Sequence, residues 1–118
     1  MGKILVVDDA RFMRVRYRKL LANEGFEVFE AENGQQALKV YEEENPDLVF
    51  LDITMPVMDG MDTLKELKSR YDDAQVIMSS ALGQERIVIS AIKAGAEDFI
   101  VKPFKPDKIL ATAKKHVG

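Results

Sequence analysis

The sequence predicts an α/β protein in which a five-stranded parallel sheet is covered by helices on both faces, a doubly wound (βα)₅ arrangement. Two observations lead there. Five short apolar or β-branched runs alternate strictly with five segments of helical periodicity. The runs are also too uniformly apolar to leave one sheet face in water, as expected of parallel strands buried on both sides. The predicted strands are Lys3 to Val7, Phe26 to Ala31, Leu48 to Leu51, Gln75 to Met78 and Asp98 to Val101.

The helical segments between and after them each offer one apolar stripe. Met13, Tyr17, Leu20 and Leu21 share a face of the first, Met61, Leu64 and Leu67 of the third, and Ile109, Leu110, Ala113 and Val117 of the fifth. Stop signals fall in the right places: Gly25 after the first helix, Pro46 after the second and Gly95 after the fourth, while Pro106 opens the last. The fourth helix carries Ile87, Val88, Ile89, Ala91 and Ile92, more apolar positions than one buried stripe needs, which fits either a part left at the surface or a wide core face.

Length and composition narrow the function classes. A chain of 118 residues, 47% of them apolar, is expected to form one domain over 1–118 with a substantial core. No apolar run approaches the ~18 residues needed to cross a bilayer, so no membrane insertion is expected. The start Met1-Gly2-Lys3-Ile4 enters a strand at once and carries no signal-peptide or myristoylation pattern, which leads to a cytoplasmic expectation. Without cysteine there is no disulfide framework or thiolate metal site, so a bound metal would be a hard cation on oxygen ligands. The formal charge of -3 argues against a nucleic-acid partner, and the basic group Arg11, Arg14, Arg16, Arg18 and Lys19 reads as a solvated helix face.

In sheets of this kind ligands bind beyond the carboxyl ends of the strands. There the sequence places Asp8-Asp9 after the first run, Asp52 after the third, Ser79-Ser80 after the fourth and Lys102-Pro103 after the fifth. The second run ends in Glu32-Asn33, which adds nothing to the set. Three clustered carboxylates repel one another and call for a cation, and Mg²⁺ suits them better than Ca²⁺ because it takes few protein ligands and leaves room for phosphoryl oxygens. Asp8, Asp9 and Asp52 give a formal -3, which Mg²⁺ and Lys102 balance. Asp52 could then act as a nucleophile toward a phosphoryl group whose oxygens Mg²⁺, Lys102 and Ser80 would hold. Singly, each residue has an ordinary structural reading: Asp9 as a cap of the first helix, Lys102 as a surface charge, Ser80 as a cap. Their joint placement at four strand ends favours the chemical one. His116 reads as a helix-end residue favoured by the dipole, and the methionines as core fillers.

The pieces Val6-Val7-Asp8-Asp9, Leu51-Asp52-Ile53-Thr54-Met55-Pro56, Met58-Asp59-Gly60, Ser80-Ala81, Gly95-Ala96 and Val101-Lys102-Pro103-Phe104, in this order and spacing, resemble the receiver domains of response regulators across essentially the whole chain. Within that family the look is that of standalone chemotaxis receivers of the CheY type. The resemblance implies a flavodoxin-like sheet in the order 2-1-3-4-5. It implies Asp52 as phosphoacceptor, Asp8, Asp9, Asp52 and the Thr54 backbone carbonyl as Mg²⁺ ligands, and Lys102 as a phosphoryl contact. It further implies Ser80 with Phe99 as a conformational switch, and a cis Lys102–Pro103 peptide. Phe99 stands where the enteric chemotaxis receiver has a tyrosine, and Thr54 where it has asparagine. The implied partners are a sensor histidine kinase of the CheA type and a flagellar switch or phosphatase protein, met by a monomer through the fourth helix, fifth strand and fifth helix. The implied role is signalling, not enzymatic turnover of a separate substrate. One alternative is a phosphorelay intermediate that passes its phosphoryl group to a histidine phosphotransfer protein. A remote one is an Asp-nucleophile phosphohydrolase, which would want a second Asp where Thr54 stands; a flavin site is disfavoured because Asp8-Asp9 would repel the phosphate.

Overall fold

The computed structural model describes residues 2–53, 55, 58–81 and 83–117. Strands β1 (Lys3–Val7), β2 (Glu27–Ala31), β3 (Leu48–Asp52), β4 (Val76–Ser80) and β5 (Asp98–Val101) alternate with helices α1 (Arg11–Asn23), α2 (Gly34–Glu44), α3 (Gly60–Arg70), α4 (Glu85–Lys93) and α5 (Pro106–Val117). All strand pairs are parallel and the order is β2-β1-β3-β4-β5, as the resemblance implies.

Strand alternation builds two cores, one on each side of the sheet. Leu5, Val7, Val49, Leu51, Val76 and Met78 face one way, onto Ala37 and Tyr41 of α2, Leu64 and Leu67 of α3 and Ala91 of α4. Ile4, Val6, Leu48, Phe50, Ile77 and Ile100 face the other, onto Tyr17 and Leu21 of α1 and Ile109 and Ala113 of α5. Every residue of β3 and β4 is buried, which is why these strands read as unbroken apolar runs. No helix among the described residues is long and apolar enough to cross a membrane.

The ends of the elements depart from the sequence expectation in instructive ways. β2 starts at Glu27 because Phe26 closes α1, its N–H donating to the Leu21 carbonyl after Gly25 turns the chain at φ 93°. α2 ends at Glu44, ahead of Pro46 as expected, but the residue that caps it is Asn45 in a left-handed conformation with φ 46°. β3 and β4 run on into polar residues because Asp52 pairs in register with Ser79, a pairing that hydropathy does not reveal.

Candidate functional site

β1 and β3 are neighbours in the centre of the sheet, and the chain leaves them for opposite faces: α1 packs with α5 on one side, α2 and α3 on the other. This opens a crevice above their carboxyl ends. A tight fit shapes its floor: Gly60 N–H donates to the Ile53 carbonyl at 2.7 Å, and a side chain at Gly60 would collide with the Asp52 carbonyl.

Asp8 is held on every side. Its N–H donates to the Ala31 carbonyl (3.1 Å), its Oδ1 accepts from Ala10 N–H (2.9 Å) and its Oδ2 meets Lys102 Nζ (2.6 Å). Its own carbonyl accepts from Arg14 Nη1 (2.6 Å). Asp52 ends β3, buried, with Oδ1 3.4 Å from Lys102 Nζ. Asp9 is exposed, yet Asp8, Asp9 and Asp52 each offer an oxygen within 4.8 Å of the others. Burial, the dominant cause, with the charges of Asp8 and Asp9, pushes the Asp52 carboxyl up to about 6 against the opposing pull of Lys102. Three all-oxygen donors crowded onto one point, one of them destabilised in its charged form, fit a small hard dication such as Mg²⁺.

Lys102 reaches this cluster from the end of β5, where its N–H donates to the Ser80 carbonyl at 2.8 Å and extends the β4–β5 ladder past Val101; the Lys102–Pro103 peptide is cis. Ser80 is buried at the end of β4 on the sheet face opposite to Asp52; Phe99, half-buried, packs on that same face in register with Met78. The structure thus brings Asp8, Asp9, Asp52 and Lys102 together and sets Ser80 and Phe99 beside one another across the sheet. Thr54, expected to contribute its carbonyl, lies outside the described residues. The capping alternative for Asp9 fails: Ala10 is the N-cap of α1, without a side-chain cap, and the carboxylate that accepts its N–H is that of Asp8. His116 sits in the last turn of α5, at the amino end of the strands and away from the crevice, where its carbonyl accepts from Gln75 Nε2.

The basic group on α1 is more than a solvated face. Arg14 Nε and Arg18 Nε clasp the two oxygens of Glu30 at 3.2 and 2.6 Å, Arg18 Nη2 donates to the Val28 carbonyl, and the Arg16 guanidinium lies 5.1 Å from the Phe104 ring centre. Glu30 falls on the same side of β2 as buried Val28, and a carboxylate turned toward a helix requires cationic partners there. That parity was the available signal for Arg14, which ties α1 to the Asp8 carbonyl.

This fold and this acidic crevice, matched over residues 4–114 by the response regulator receiver domain family, place the chain in that family. It is 55% identical over 114 residues to the chemotaxis protein CheY of Bacillus subtilis (strain 168), covering 96% of this chain and 95% of the relative. To CheY of Thermotoga maritima it is 49% identical over 117 residues, 98% of each chain. Among solved structures, a chain in the CheX-CheY-BeF3-Mg+2 complex from Borrelia burgdorferi superposes with a TM-score of 0.94 at 37% identity, covering 99% of this chain and 90% of that one. Matches along nearly the full length of such relatives support a single-domain response regulator.

Proposed function

We propose that residues 1–118 act as one phosphorylation-driven signalling switch in the cytoplasm, accepting a phosphoryl group on Asp52 from a sensor histidine kinase and changing affinity for a partner of a chemotaxis system, a flagellar switch or phosphatase protein. The observation that carries this reading is the convergence of Asp8, Asp9 and Asp52 within 4.8 Å, with Lys102 Nζ between two of them. Those three carboxylates, with the Thr54 carbonyl, would hold Mg²⁺, which supplies positive charge for the phosphoryl oxygens. The Asp52 carboxylate oxygen attacks phosphorus while the bond from phosphorus to the donor imidazole nitrogen breaks, its electron pair leaving with the imidazole. Lys102, already 3.4 Å from Asp52, contacts a phosphoryl oxygen without leaving Asp8.

Ser80, at the carboxyl end of β4, swings over the strand end to hydrogen-bond another phosphoryl oxygen, and its movement frees space into which Phe99 turns. Phe99 lies on β5, beside α4, where Ile89, Ile92 and Val101 are each 45–48% exposed, the surface reading of the surplus apolar positions on α4. That patch is the surface read by the partner, so partner and phosphoryl group reinforce one another's binding. Intact-mass measurement with acetyl phosphate tests the core of this reading. The chain should gain about 80 Da, one phosphoryl group, only when Mg²⁺ is present. Equal gain by Asp52→Asn would exclude Asp52 as the acceptor.

A further inference from the structure

Beneath the acidic crevice lies a polar group that the chemistry above leaves unused. Tyr17 of α1 is 1% exposed, its ring tilted against Phe50 of β3 (centroids 5.2 Å) and Phe104 after β5 (5.0 Å). Its hydroxyl is buried and makes no complete hydrogen bond among the described residues. Buried hydroxyls without partners are uncommon, and each calls for a physical reason.

The surroundings supply one. Phe50 precedes Asp52 by two residues, so strand alternation turns Asp52 toward the same sheet face as Phe50 and Tyr17. Ser79 is the register partner of Asp52 and follows Ile77 of that same core by two residues, which sets its buried hydroxyl on this face as well. The Ser79 carbonyl also accepts Ile53 N–H at 2.9 Å, locking β4 against the residue after Asp52. Burial drives the phenol pKa far up, the nearby Ser79 hydroxyl pulls it the other way, and the charges of Asp8 and Asp52 add to the upward push. The phenol therefore keeps its proton and stands next to anions as a donor.

We propose that Tyr17 is a positioning residue that shortens the life of the phosphorylated state: in that state its O–H turns to donate to Ser79 Oγ, while the Ser79 O–H donates to the Asp52 carboxylate oxygen that leaves during hydrolysis. This rests on Asp52 being the phosphoryl acceptor. In that hydrolysis a water oxygen bonds to phosphorus, the bond from phosphorus to the Asp52 oxygen breaks, and its electron pair returns to the carboxylate. The protons of the water pass to the phosphate product and to solvent. Negative charge grows on the Asp52 oxygen as the bond breaks, so a donor aimed there binds the transition state more tightly than the acyl phosphate. Tyr17 strengthens that donor because hydrogen bonds in series polarise one another.

The test compares wild type, Tyr17→Phe, Ser79→Ala, Ser79→Thr and the Tyr17→Phe/Ser79→Ala double variant, each phosphorylated with acetyl phosphate and Mg²⁺, freed of donor and followed by intact mass. Phenylalanine keeps the ring between Phe50 and Phe104 and removes only the oxygen. The acyl-phosphate half-life should lengthen roughly three- to tenfold in Tyr17→Phe, the range for loss of a hydrogen bond acting on a charged group through an intermediary. Ser79→Ala should lengthen it similarly, Ser79→Thr should restore the wild-type value, and the double variant should gain nothing over Ser79→Ala because the two residues act as one chain. A purely structural Tyr17 would move the urea midpoint and leave the half-life unchanged. Equal half-lives in wild type and Tyr17→Phe, or independent multiplying effects in the double variant, would overturn the proposal. Were Tyr17→Phe unable to fold, as judged by circular dichroism, equal half-lives in Ser79→Ala and Ser79→Thr would overturn it instead. A wild type that takes up no phosphoryl group removes the acceptor reading itself, a result distinct from either.

Discussion

Asp52 carries a proton more readily in the folded chain than in an open one, and this has a measurable consequence. Its carboxyl rises from the ordinary 3.8 to about 6 because burial and the charges of Asp8 and Asp9 outweigh Lys102. A raised carboxyl pKa means that folding favours the protonated form. The metal-free protein therefore loses stability as pH climbs from about 4 through 6, and the full penalty is present above that window. At about 1.4 kcal/mol per pH unit, Asp52→Asn should be more stable than wild type by up to roughly 3 kcal/mol at pH 7.5 in EDTA, with the advantage gone near pH 3.5. Urea midpoints at the two pH values check this, and a variant no more stable at pH 7.5 would contradict the electrostatic account. At this scale Asp8, Asp52 and Lys102 were legible because each ends an apolar run. Arg14, Glu30 and the Tyr17 hydroxyl were not: their partners lie on other elements, and a helical stripe shows that Tyr17 is buried without showing what its oxygen meets.

Among the elements, the helix ends carry the backbone exceptions. Gly95 closes α4 at φ 109°, with the aliphatic stem of Lys68 against the place where a Cβ would be. Lys68 Nζ is itself committed, donating to the Asp72 and Ala74 carbonyls at 2.8 and 2.9 Å, so the stem cannot simply withdraw. Gly95→Ala should destabilise the fold by about 1–2 kcal/mol, read as a lower urea midpoint, since both the left-handed backbone and the contact oppose a methyl group. A neutral substitution would show that the turn relaxes freely. Gly25 and Gly95 were readable as stops because only glycine takes such conformations readily, and Pro46 because it cannot continue a helix, although the left-handed turn before it is made by Asn45. The polar ends of β3 and β4 escaped because register, not hydropathy, extends them.

For the whole molecule, strict alternation and doubly apolar strands were enough to give a parallel sheet with helices on both faces, but the order β2-β1-β3-β4-β5 came from resemblance, since periodicity says nothing of which strand lies beside which. That order joins β1 to β3, so any ion bound at the crevice ties the first third of the chain to its middle and should stabilise the entire fold. With free Mg²⁺ at a hundred times its Kd, unfolding free energy should rise by about 2.7 kcal/mol. Asp9 provides the control, being exposed and capping nothing. Asp9→Ala should melt no lower than wild type in EDTA, since it removes one charge that opposes Asp52, and lose most of the Mg²⁺-induced rise in Tm. An unchanged rise would remove Asp9 from the metal site.

Ser79 and Ser80 are adjacent in β4, yet the pleat turns them to opposite sides of the sheet, one toward Tyr17 and Asp52, the other toward Phe99. On the roles proposed for them, one residue sets how long a message lasts and its neighbour sets how loudly it is delivered. The sheet between them is a partition that only the phosphoryl group crosses: a substitution in the α1–α5 core acts first on the clock and one around α4 first on the receiving surface, and each reaches the other through the one group both serines touch. Memory and volume would then be separate dials on a common shaft, installed one codon apart.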